Sequence, residues 1–573
     1  MGIRLFLIDS VAPFCITCND NEEINWSKVP FTLLERNNTL DPATCAAVEK
    51  AFNQYCNTVS SLGYNALSID DVAHLVNQRF YSLSLNNKIN SYKEFYARLF
   101  AIAQKYALKI FITTDVMFYN DYIRKYTARG KSAVVRVLAT SIRQVFKEFP
   151  FVSGIIFRIG ECDGVDVEGD FVSRLVIKTP RQLRGLIKSL LPLFEKYEKL
   201  LIMRTWTLGA FKIGDLLWNK ETFERVFNTL VSDNLVLSLK FGETDFFRYL
   251  NFNPLFFQSH HRKIIELQTR REYEGFGEFP SFVGNDYEKY SRYINLSENV
   301  IGISVWCQTG GWSHFTRLTF LKNSSLWNEI NTFVTIRIFR DGVTAEEAVA
   351  EFCRQRFPEI NHEKLTALLK LSDRLIKEVW YIPEFSSKRI YFRRTRVPPL
   401  LWIFWDNILI NHSLRKVIRR FVHERREAVH EGYRLLHKIH TIKKYAREIG
   451  LDTEVFDYQY DTFSIVAAAR EYYLGKWDPS IPKRIVKLVR EYNTKYPHGF
   501  HILYDFSPVH FKKWLIKTIF KISLRQHPHY RLLDKLFLNR FASLVYPIFN
   551  YWQKRRLDDF YREQAMGIQV LFK

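Results

Sequence analysis

Short apolar runs alternate with amphipathic segments along the chain as far as Trp306. Each of eight runs has the length of a β-strand, and most are rich in β-branched or aromatic residues. Between most of the runs, apolar residues recur at helical spacing, as in "YKEFYARLFAIAQKYA". The runs are Ile3–Asp9, Asn65–Asp70, Leu108–Thr114, Gly154–Ile159, Lys199–Trp206, Leu235–Phe241, Lys263–Thr269 and Val300–Trp306.

This alternation predicts parallel strands joined by helices through right-handed crossovers. Eight such units within residues 1–325 fit the ~250 residues that are typical of a (β/α)8 TIM barrel. The alternative is a doubly wound open sheet, which would place a glycine-rich phosphate turn after its first strand. No such turn follows Asp9. We therefore predict an α/β fold with a catalytic barrel at residues 1–325.

The pattern becomes mostly helical from Leu326, which predicts a second, basic domain at residues 326–573. Thr344 and Glu347 have the spacing of a capping box at the start of a helix. One long basic helix is predicted over "SLRKVIRRFVHERREAVHEGYRLLHKIHTIKKYAREIG", with Gly450 in the position of its C-terminal cap.

The spacing of cysteines and histidines favours free side chains over a metal site. Seven cysteines in 573 residues do not suggest a disulfide framework, and the CxxC pair of Cys15 and Cys18 lacks a second pair or nearby histidines. His423, His430 and His437 recur every seven residues, which is typical of a stripe on one helix, whereas metal ligands on a helix sit three or four residues apart. We expect neither a metal nor another cofactor.

The formal net charge of +23 favours polyanionic partners: an acidic polysaccharide, an anionic membrane surface or nucleic acid. The stretch His510–Phe541 is basic and amphipathic, which suits either an anionic membrane surface or a packed helix with a solvated face. No zinc-finger or RNA-recognition signature accompanies the basic clusters, so nucleic acid is the least favoured partner. The sequence leaves a homodimer open.

The first residues, "MGIRLFLIDSVAPF", lack the long apolar region and the cleavage site of a signal peptide. No uninterrupted apolar run reaches the ~20 residues that are needed to cross a bilayer. The longest candidate, "VPPLLWIFWDNILI", is interrupted by Asp406. We expect a cytoplasmic protein that is at most peripheral to a membrane.

Charged and aromatic residues gather just past the predicted strands, where TIM-barrel enzymes place their active sites. Carboxylates facing one another across such a rim suit glycoside hydrolysis, in which one acid protonates the leaving oxygen and another acts as nucleophile or activates water. For a single strand end, the alternative is a loop charge or a structural ion pair. The residues are Asp9, Asp70, Asp71, Asp115, Glu161, Asp163, Arg204, Trp206, Lys240, Asp245, Arg271, Glu272 and Trp306.

Aromatic and basic residues in this set extend the interpretation toward an acidic sugar. Trp306 and Trp312 are candidates to stack on a sugar ring, although tryptophans at a barrel rim also pack beneath loops. Arginine forms bidentate hydrogen bonds with a carboxylate, and lysine supplies a compact positive charge. Arg204 and Lys240 beside the carboxylates therefore favour an anionic sugar as the ligand.

Several of these segments resemble, in order, those of glycoside hydrolase family 67, the α-glucuronidases. "DNLVLSLKFGETDF" is similar to the family's "DNVV-x-x-K-x-G-x-x-DF", and "IIELQTRREYEG" is similar to its "LELQ-x-x-x-EY-x-G". "YCNTVSSLGYNALSIDDVAHL", "FKEFPFVSGIIFRIGECDG", "LLIMRTW" and "NTFVTIRIFRDGVTAEEAVAEFCRQRF" resemble other family segments. The resemblance extends from about Ala51 to about Phe357. Because few residues precede Ile3, we expect the chain to lack the N-terminal β-sandwich domain of that family.

The resemblance implies a role for each matched residue. Glu161 would be the general acid, with Asp163 as the alternative because "GECDG" departs from the family's "NSEG". Asp245 and Glu272 would activate water in an inverting mechanism. Lys240 and Arg204 match the positions that hold the uronate carboxylate, and Arg158 stands where the family has a lysine with the same task. From their place at the strand ends, further candidates to line the substrate site are Asp70, Asp71, Trp206, Trp306 and Trp312.

The predicted function is therefore hydrolysis of a uronic-acid-containing or other acidic glycan. The alternative is a degenerate barrel that binds carbohydrate or another polyanion without cleaving it. Two further expectations concern the loop after the seventh strand. One of Arg270 and Arg271 orients Glu272 or meets the sugar, and one is at the surface; "GFGEF" departs from the family pattern, so the substrate difference is expected there.

Overall fold

Eight parallel strands close a barrel in the computed structural model, which describes residues 3–9, 31–128, 130–160, 169–207, 211–307, 325–359, 361–507, 518 and 521–538. Each strand pairs with its neighbours in chain order, and the first pairs with the last. This confirms the predicted TIM barrel. The strands are β1 (Leu5–Asp9), β2 (Ala66–Asp70), β3 (Lys109–Asp115), β4 (Val152–Arg158), β5 (Leu200–Arg204), β6 (Leu235–Lys240), β7 (Arg262–Gln268) and β8 (Val300–Trp306).

A helix follows each strand and packs outside the barrel. The first begins as its sequence dictates, because the Asp41 side chain accepts a hydrogen bond from the Thr44 amide and Pro42 occupies the first turn. A short extra helix, Asp121–Thr127, precedes the third. The eight are α1 (Pro42–Leu62), α2 (Leu83–Lys105), α3 (Lys131–Glu148), α4 (Pro180–Lys196), α5 (Lys220–Phe227), α6 (Leu255–Gln258), α7 (Gly284–Ile294) and α8 (Leu326–Ile336).

The barrel interior has an apolar lower part and a charged upper part. Side chains alternate in direction along a strand, so every second residue points inward. The lower part is a cluster of buried residues: Leu5, Leu7, Ala66, Phe111, Ile156, Ile202, Val236 and Ile264. Continuing the same alternation toward the carboxyl ends gives buried polar residues instead: Asp9, Ser68, Asp70, Thr113, Asp115, Arg158, Arg204, Ser238, Lys240, Glu266 and Gln268.

Two glycines allow neighbouring strands to approach closely. A Cβ atom on Gly302 of β8 would lie 2.2 Å from the Leu5 carbonyl oxygen of β1. A Cβ atom on Gly154 of β4 would lie 2.3 Å from the Leu200 carbonyl oxygen of β5. Backbone atoms cannot move aside without breaking the pairing, so both positions require glycine.

The second part of the chain is largely helical, and its described residues include two small three-stranded sheets. The capping box of Thr344 and Glu347 is present as predicted. The helices are α9 (Ala345–Arg356), α10 (His362–Leu375), α11 (His412–Phe421), α12 (Arg425–Leu436), α13 (Lys438–Glu448), α14 (Glu454–Leu474), α15 (Ser480–Lys495) and α16 (Leu532–Leu538), with a short turn of helix at Pro383–Ser386 and π-helical turns at Arg337–Asp341 and Ile376–Trp380.

Two small sheets lie in this part, and two antiparallel pairs of short strands belong to the barrel part. Tyr391–Phe392 pairs with Thr395–Arg396 and with Leu524–Arg525. Ile403–Phe404 and His501–Asp505 both pair with Asn407–Asn411. The barrel part adds Glu35–Arg36 with Thr39–Leu40, and Phe118–Tyr119 with Val172–Ser173.

The prediction of one long basic helix is wrong, because the stretch forms the three helices α11, α12 and α13. His423 lies between the first two of them and His437 lies at the junction of the last two, so the three histidines do not share one helix. Gly450 has a φ of 70° after α13, as expected of a glycine C-terminal cap.

Most of the basic amphipathic stretch His510–Phe541 lies outside the described residues. The described residues of that stretch include the short strand Leu524–Arg525 and helix α16. Across the described chain, no helix combines the length and the apolar character that crossing a bilayer requires.

Candidate active site

The charged upper part of the barrel is held together by contacts that cross the barrel. Arg204 Nη2 on β5 donates to Asp9 Oδ2 on β1 at 2.5 Å, and Arg204 Nε lies 3.6 Å from Glu266 Oε1 on β7. Ser238 donates to the same Glu266 oxygen at 2.6 Å. The Arg204 guanidinium also lies over the Trp306 ring, 4.0 Å from its centroid. Arg204 is therefore fixed on two carboxylates and one aromatic face.

A second network surrounds Arg158 at the end of β4. Arg158 Nε donates to Asp115 Oδ1 at 2.7 Å, and Arg158 Nη2 donates to Asp70 Oδ2 at 3.2 Å. The Ser173 hydroxyl donates to the other Asp115 oxygen. The predicted ligand residues Asp70 and Arg158 are thus brought together on adjacent parts of the rim, as a buried ion pair.

Asp71, a predicted substrate residue, has a local structural partner. Asp71 Oδ1 accepts hydrogen bonds from the His74 amide at 3.0 Å and lies 3.1 Å from His74 Nδ1. The His74 ring is stacked on Phe31 with a centroid separation of 3.4 Å. Both polar residues are buried. Asp71 therefore orders the turn that follows β2.

A third network holds Asp245, which lies in the loop after β6. Lys240 Nζ donates to Asp245 Oδ1 at 2.6 Å, and the Tyr273 hydroxyl donates to Asp245 Oδ2 at 2.9 Å. The Phe246 amide donates to Oδ1 at 2.9 Å. Lys240 Nζ also lies 3.9 Å from the centroid of the Trp206 ring. Asp245 thus accepts hydrogen bonds from three donors.

Glu272, in the loop after β7, has a different environment. Its side chain is buried, and within the described part of the chain it forms no ion pair. Burial and the neighbouring Asp245 carboxylate raise the pKa of Glu272 to about 8, against the opposing effect of Lys240, Gln268 and Arg271. Glu272 therefore favours its protonated form at neutral pH.

Several buried polar atoms of the site have no hydrogen-bond partner among the described residues. They are Arg204 Nη1, Glu266 Oε2 and Gln268 Nε2. Buried polar groups in folded proteins are usually satisfied, so such groups indicate a place for water or a ligand. Gln268 also accepts the Glu272 amide through its side-chain oxygen at 3.3 Å, which places this open donor beside Glu272.

The two predicted tryptophan ligands of the described chain are largely covered. Trp206 and Trp306 are both buried, and each has a cation over its ring, Lys240 and Arg204 respectively. Cation–π contacts of this kind occupy an aromatic face that a sugar would otherwise use. Glu161, Asp163, Trp312, Cys15 and Cys18 lie outside the described residues.

The expectation that Arg270 or Arg271 is at the surface is wrong, since both are buried. Arg270 Nε donates to the Phe276 carbonyl at 3.0 Å. Arg271 Nη2 donates to Glu274 at 2.8 Å, and Arg248 Nε donates to the same carboxylate at 3.0 Å. The two arginines lower the pKa of Glu274 despite its burial.

The same network joins the barrel to the helical part. Arg248 Nη1 reaches Asp286 on α7 at 2.6 Å and Asp373 on α10 at 3.2 Å. The Tyr381 hydroxyl donates to Glu274 at 3.1 Å. The loop after β7 therefore sits on an ionic cluster with contributions from both parts of the chain.

The segment "GFGEF" continues this loop beneath the helical part. Phe276 and Phe279 are buried, and the Phe279 ring lies 5.5 Å from Trp380 and 5.3 Å from Phe463. The Trp380 indole donates to the Tyr273 carbonyl at 2.8 Å. Phe279 thus attaches "GFGEF" to the helical part, whereas Phe276 contacts Arg270 within the same loop. The effect of the segment on substrate choice stays a prediction.

Sequence reasoning missed Glu266, Tyr273 and Trp405. Glu266 stands inside the apolar run of β7, and only the strict alternation of inward positions could have identified it. Tyr273 is next to Glu272, and its hydroxyl contact with Asp245 needs the fold to be seen. Trp405 comes from the distant helical part and lies near Tyr273. Among the described residues, no three His, Cys, Asp or Glu side chains are grouped so as to hold a metal ion.

No protein-family model matches the sequence, and no curated protein is significantly similar to it. Among solved structures, the chain is similar to a GH138 enzyme targeting pectin rhamnogalacturonan II, with a TM-score of 0.50, 11% identity and coverage of 87% of this chain. The chain spans 62% of that enzyme's length. It is also similar to a family 89 glycoside hydrolase from Clostridium perfringens in complex with PUGNAc, with a TM-score of 0.40, 9% identity, and coverage of 85% of this chain and 54% of the other.

At these identities, the likeness to solved structures is one of fold. It agrees with the closed eight-stranded barrel followed by a helical part. None of these comparisons includes family 67, so the resemblance to that family rests on the sequence motifs alone. The likeness to the GH138 enzyme supports the fold alone, a TIM barrel.

Proposed function

We propose that the chain is a glycoside hydrolase that cleaves a uronic-acid-containing or other acidic glycan through paired carboxyl groups, with inversion at the anomeric carbon. The observation that carries the proposal is the pair of Asp245 and Glu272 at the carboxyl end of the barrel. One member is held by three donors and the other is buried without an ion pair among the described residues. Glycoside hydrolysis needs carboxyl groups in unlike protonation states.

In this mechanism Asp245 is the base that activates water, since Lys240 and Tyr273 stabilise its carboxylate. Glu272 holds a proton at neutral pH and donates a hydrogen bond to the water or to a sugar hydroxyl. The resemblance assigns the general acid that protonates the leaving oxygen to Glu161. A gap of about 6.5–9.5 Å between acid and base carboxyls accompanies inversion, because water must fit between them.

The charge balance of the described site supports stabilisation of a positively charged transition state. Three cations, Arg158, Arg204 and Lys240, pair with five carboxylates beside the protonated Glu272: Asp9, Asp70, Asp115, Asp245 and Glu266. The oxocarbenium-like transition state of glycoside hydrolysis carries positive charge, which an excess of carboxylates favours.

The acidic-substrate part of the proposal rests on Arg204. Arg204 is anchored through Nη2 and Nε, while its buried Nη1 has no hydrogen-bond partner among the described residues. That donor is available to a sugar carboxylate. Arg158 and Lys240 contribute positive potential, although both already contact carboxylates of the protein.

A second candidate function is carbohydrate or polyanion binding by a barrel without activity. It is favoured by the same ion pairs, because a network in which each cation is neutralised by a neighbouring carboxylate can serve stability alone. The two candidates differ in turnover, so one experiment separates them.

The experiment compares Glu161→Gln, Asp245→Asn and Glu272→Gln with wild type, on aryl α-glucuronides and on panels of acidic and neutral oligosaccharides. Glu221→Gln is the matched control, since Glu221 is exposed on α5. The proposal expects turnover by wild type and the control, and a loss of at least about a hundredfold in the three site variants with folding retained. Binding without release of sugar by wild type would establish the second candidate. Turnover of neutral glycans alone would overturn the acidic substrate.

A further inference from the structure

The helical part of the chain contributes an aromatic side chain to the wall of the site. Trp405 lies at the tip of a hairpin whose strands are Ile403–Phe404 and Asn407–Asn411. Phe404 pairs with Asn407, so Trp405 and Asp406 form the two-residue turn. The tip therefore presents a large aromatic residue where a small polar one is usual.

The backbone at Trp405 is itself unusual. Its φ is 53°, in the left-handed region that asparagine, aspartate and glycine favour and that bulky residues rarely adopt. Maintaining such a conformation costs free energy, and residues of this kind cluster at ligand sites. The turn would form at a lower cost with glycine, asparagine or aspartate at position 405 than with tryptophan.

The hairpin is firmly held, so the position of Trp405 is defined by the fold. Asp406 is buried, and its carbonyl accepts the His501 amide at 2.8 Å. The Leu409 amide donates to the Trp402 carbonyl at 2.7 Å, and Asn407–Asn411 forms a five-residue parallel pairing with the strand that begins at His501.

Tyr273 lies between Trp405 and the Asp245 carboxylate. The Trp405 and Tyr273 rings lie 6.4 Å apart at an interplanar angle of 25°, and the Tyr273 hydroxyl donates to Asp245 at 2.9 Å. Tyr273 is buried and also stacks on Phe247, with centroids 4.2 Å apart. Trp405 is half-buried, so it is the more accessible member of this aromatic wall.

We propose that Trp405 is a sugar-binding residue of this site, with its ring packed against the apolar face of a sugar unit next to the bond that is cleaved. The inference rests on the proposed function to the extent that it places a glycan in the barrel mouth. Aromatic rings give such pockets their apolar contact area while a few polar groups fix orientation. Trp206 and Trp306 are less suited to the task because each is buried with a cation over its ring.

This assignment gives the helical part a role in the site. The barrel would supply the carboxyl groups, and the hairpin from residues 403–411 would supply a platform for the sugar. Binding of the glycan would then depend on residues from both parts of the chain.

The test measures binding without turnover. Glu272→Gln is the background, and oligogalacturonides, glucuronoxylan fragments and neutral xylo-oligosaccharides are the probes, titrated by calorimetry. Trp405→Phe keeps an aromatic ring and Trp405→Leu keeps apolar volume without one. Trp477→Leu is the control, because Trp477 is 56% exposed and packs instead near His412 and Tyr472.

The proposal expects binding of a probe to weaken by about 10- to 100-fold in Trp405→Leu, as for an aromatic hot spot, and by no more than about fivefold in Trp405→Phe. Trp477→Leu should bind as the background does. A fluorescence measurement covers the case in which Trp405→Leu does not fold: the emission change on adding the probe should be lost in Trp405→Phe and kept in Trp477→Phe.

Equal weakening in Trp405→Phe and Trp405→Leu, or no weakening in either, would overturn the assignment. So would the absence of binding to every probe. Failure of the proposed function looks different: wild type would cleave nothing, while Trp405-dependent binding would persist. Cleavage by wild type with no dependence on Trp405 would leave the function standing and remove the inference.

Discussion

Glu272 lies beside Asp245, and the two carboxyl groups are kept chemically distinct by their surroundings. Lys240, Tyr273 and a backbone amide hold Asp245, whereas burial and the Asp245 charge raise the pKa of Glu272 to about 8. A proton on Glu272 at neutral pH removes a repulsion that two adjacent carboxylates would otherwise produce.

This arrangement predicts a pH dependence of folding stability. The pKa of Glu272 is raised from a usual 4.5 to about 8, so the folded chain keeps a proton that the unfolded chain releases. The stability from this group is complete below about pH 4.5 and is lost as pH rises through about 8. Glu272→Gln should therefore gain thermal stability relative to wild type as pH rises from 5 to about 8.5, by a few degrees at the upper end. A melting-temperature difference that is flat or that falls with pH would contradict this.

Removal of the Asp245 charge should make Glu272 a stronger acid. In Asp245→Asn the side chain keeps its shape and loses its charge, so one of the two causes of the raised pKa disappears. We expect the pKa of Glu272 to fall toward its usual value, as followed by NMR of isotopically labelled glutamate carboxyls. Lys240→Met should have the opposite effect, because Lys240 lowers the pKa of Glu272. Shifts of the same sign in both variants would show that the two groups do not interact as described.

The buried cluster around Arg248 should be essential for folding. Arg248 contacts Glu274, Asp286 and Asp373, and Arg248→Met leaves buried carboxylates with fewer partners. Breaking a buried ion pair on one side costs about 3–5 kcal/mol. Chemical denaturation of Arg248→Met should show a free energy of unfolding that is lower by this amount. The control is Arg225→Met on α5, because the ion pair of Arg225 with Glu221 is exposed and should contribute little to stability. Similar losses in both variants would refute the role of burial.

Closure of the barrel should depend on Gly302. A Cβ atom there would lie 2.2 Å from the Leu5 carbonyl oxygen, so Gly302→Ala must separate β8 from β1. We expect a severe loss of folded protein, measured by circular dichroism and yield. Gly185→Ala is the matched control in α4, where no atom lies within 4 Å of the added carbon. The free energy of unfolding of Gly185→Ala should rise by about 0.5–1 kcal/mol, because alanine is the better helix former.

The barrel could be predicted because its signal is local: short apolar runs separated by segments with helical spacing. Asp245 and Glu272 could be placed at the rim because each lies within five residues of the end of a strand. Glu266 could not, since a single glutamate within the run "KIIELQT" gives no sign that Arg204 and Ser238 lie opposite it. Arg270 and Arg271 are buried because other parts of the folded chain cover them. No local sequence pattern indicates such burial.

The helical part was harder to predict for a similar reason. The basic stretch that becomes α11, α12 and α13 has continuous helical spacing, and its breaks are set by packing rather than by glycine or proline. Arg415 and Arg419 at one of these helices donate to backbone carbonyls near Gly475, contacts that only the assembled fold provides. Trp405 likewise lies near Tyr273 only in the folded chain, because the two residues are more than a hundred positions apart in the sequence.

The loop after β7 is fastened on both sides, by Arg248 and Arg271 through Glu274 and by Trp380 and Phe463 through Phe279. Glu272 lies in the same loop, two residues before Glu274. The helical part thus supports the loop that carries Glu272. If the proposed function holds, loosening this support should abolish activity while the barrel strands remain paired. Activity would then depend on whether the helical part is folded, although Asp245 and Glu272 both lie outside it.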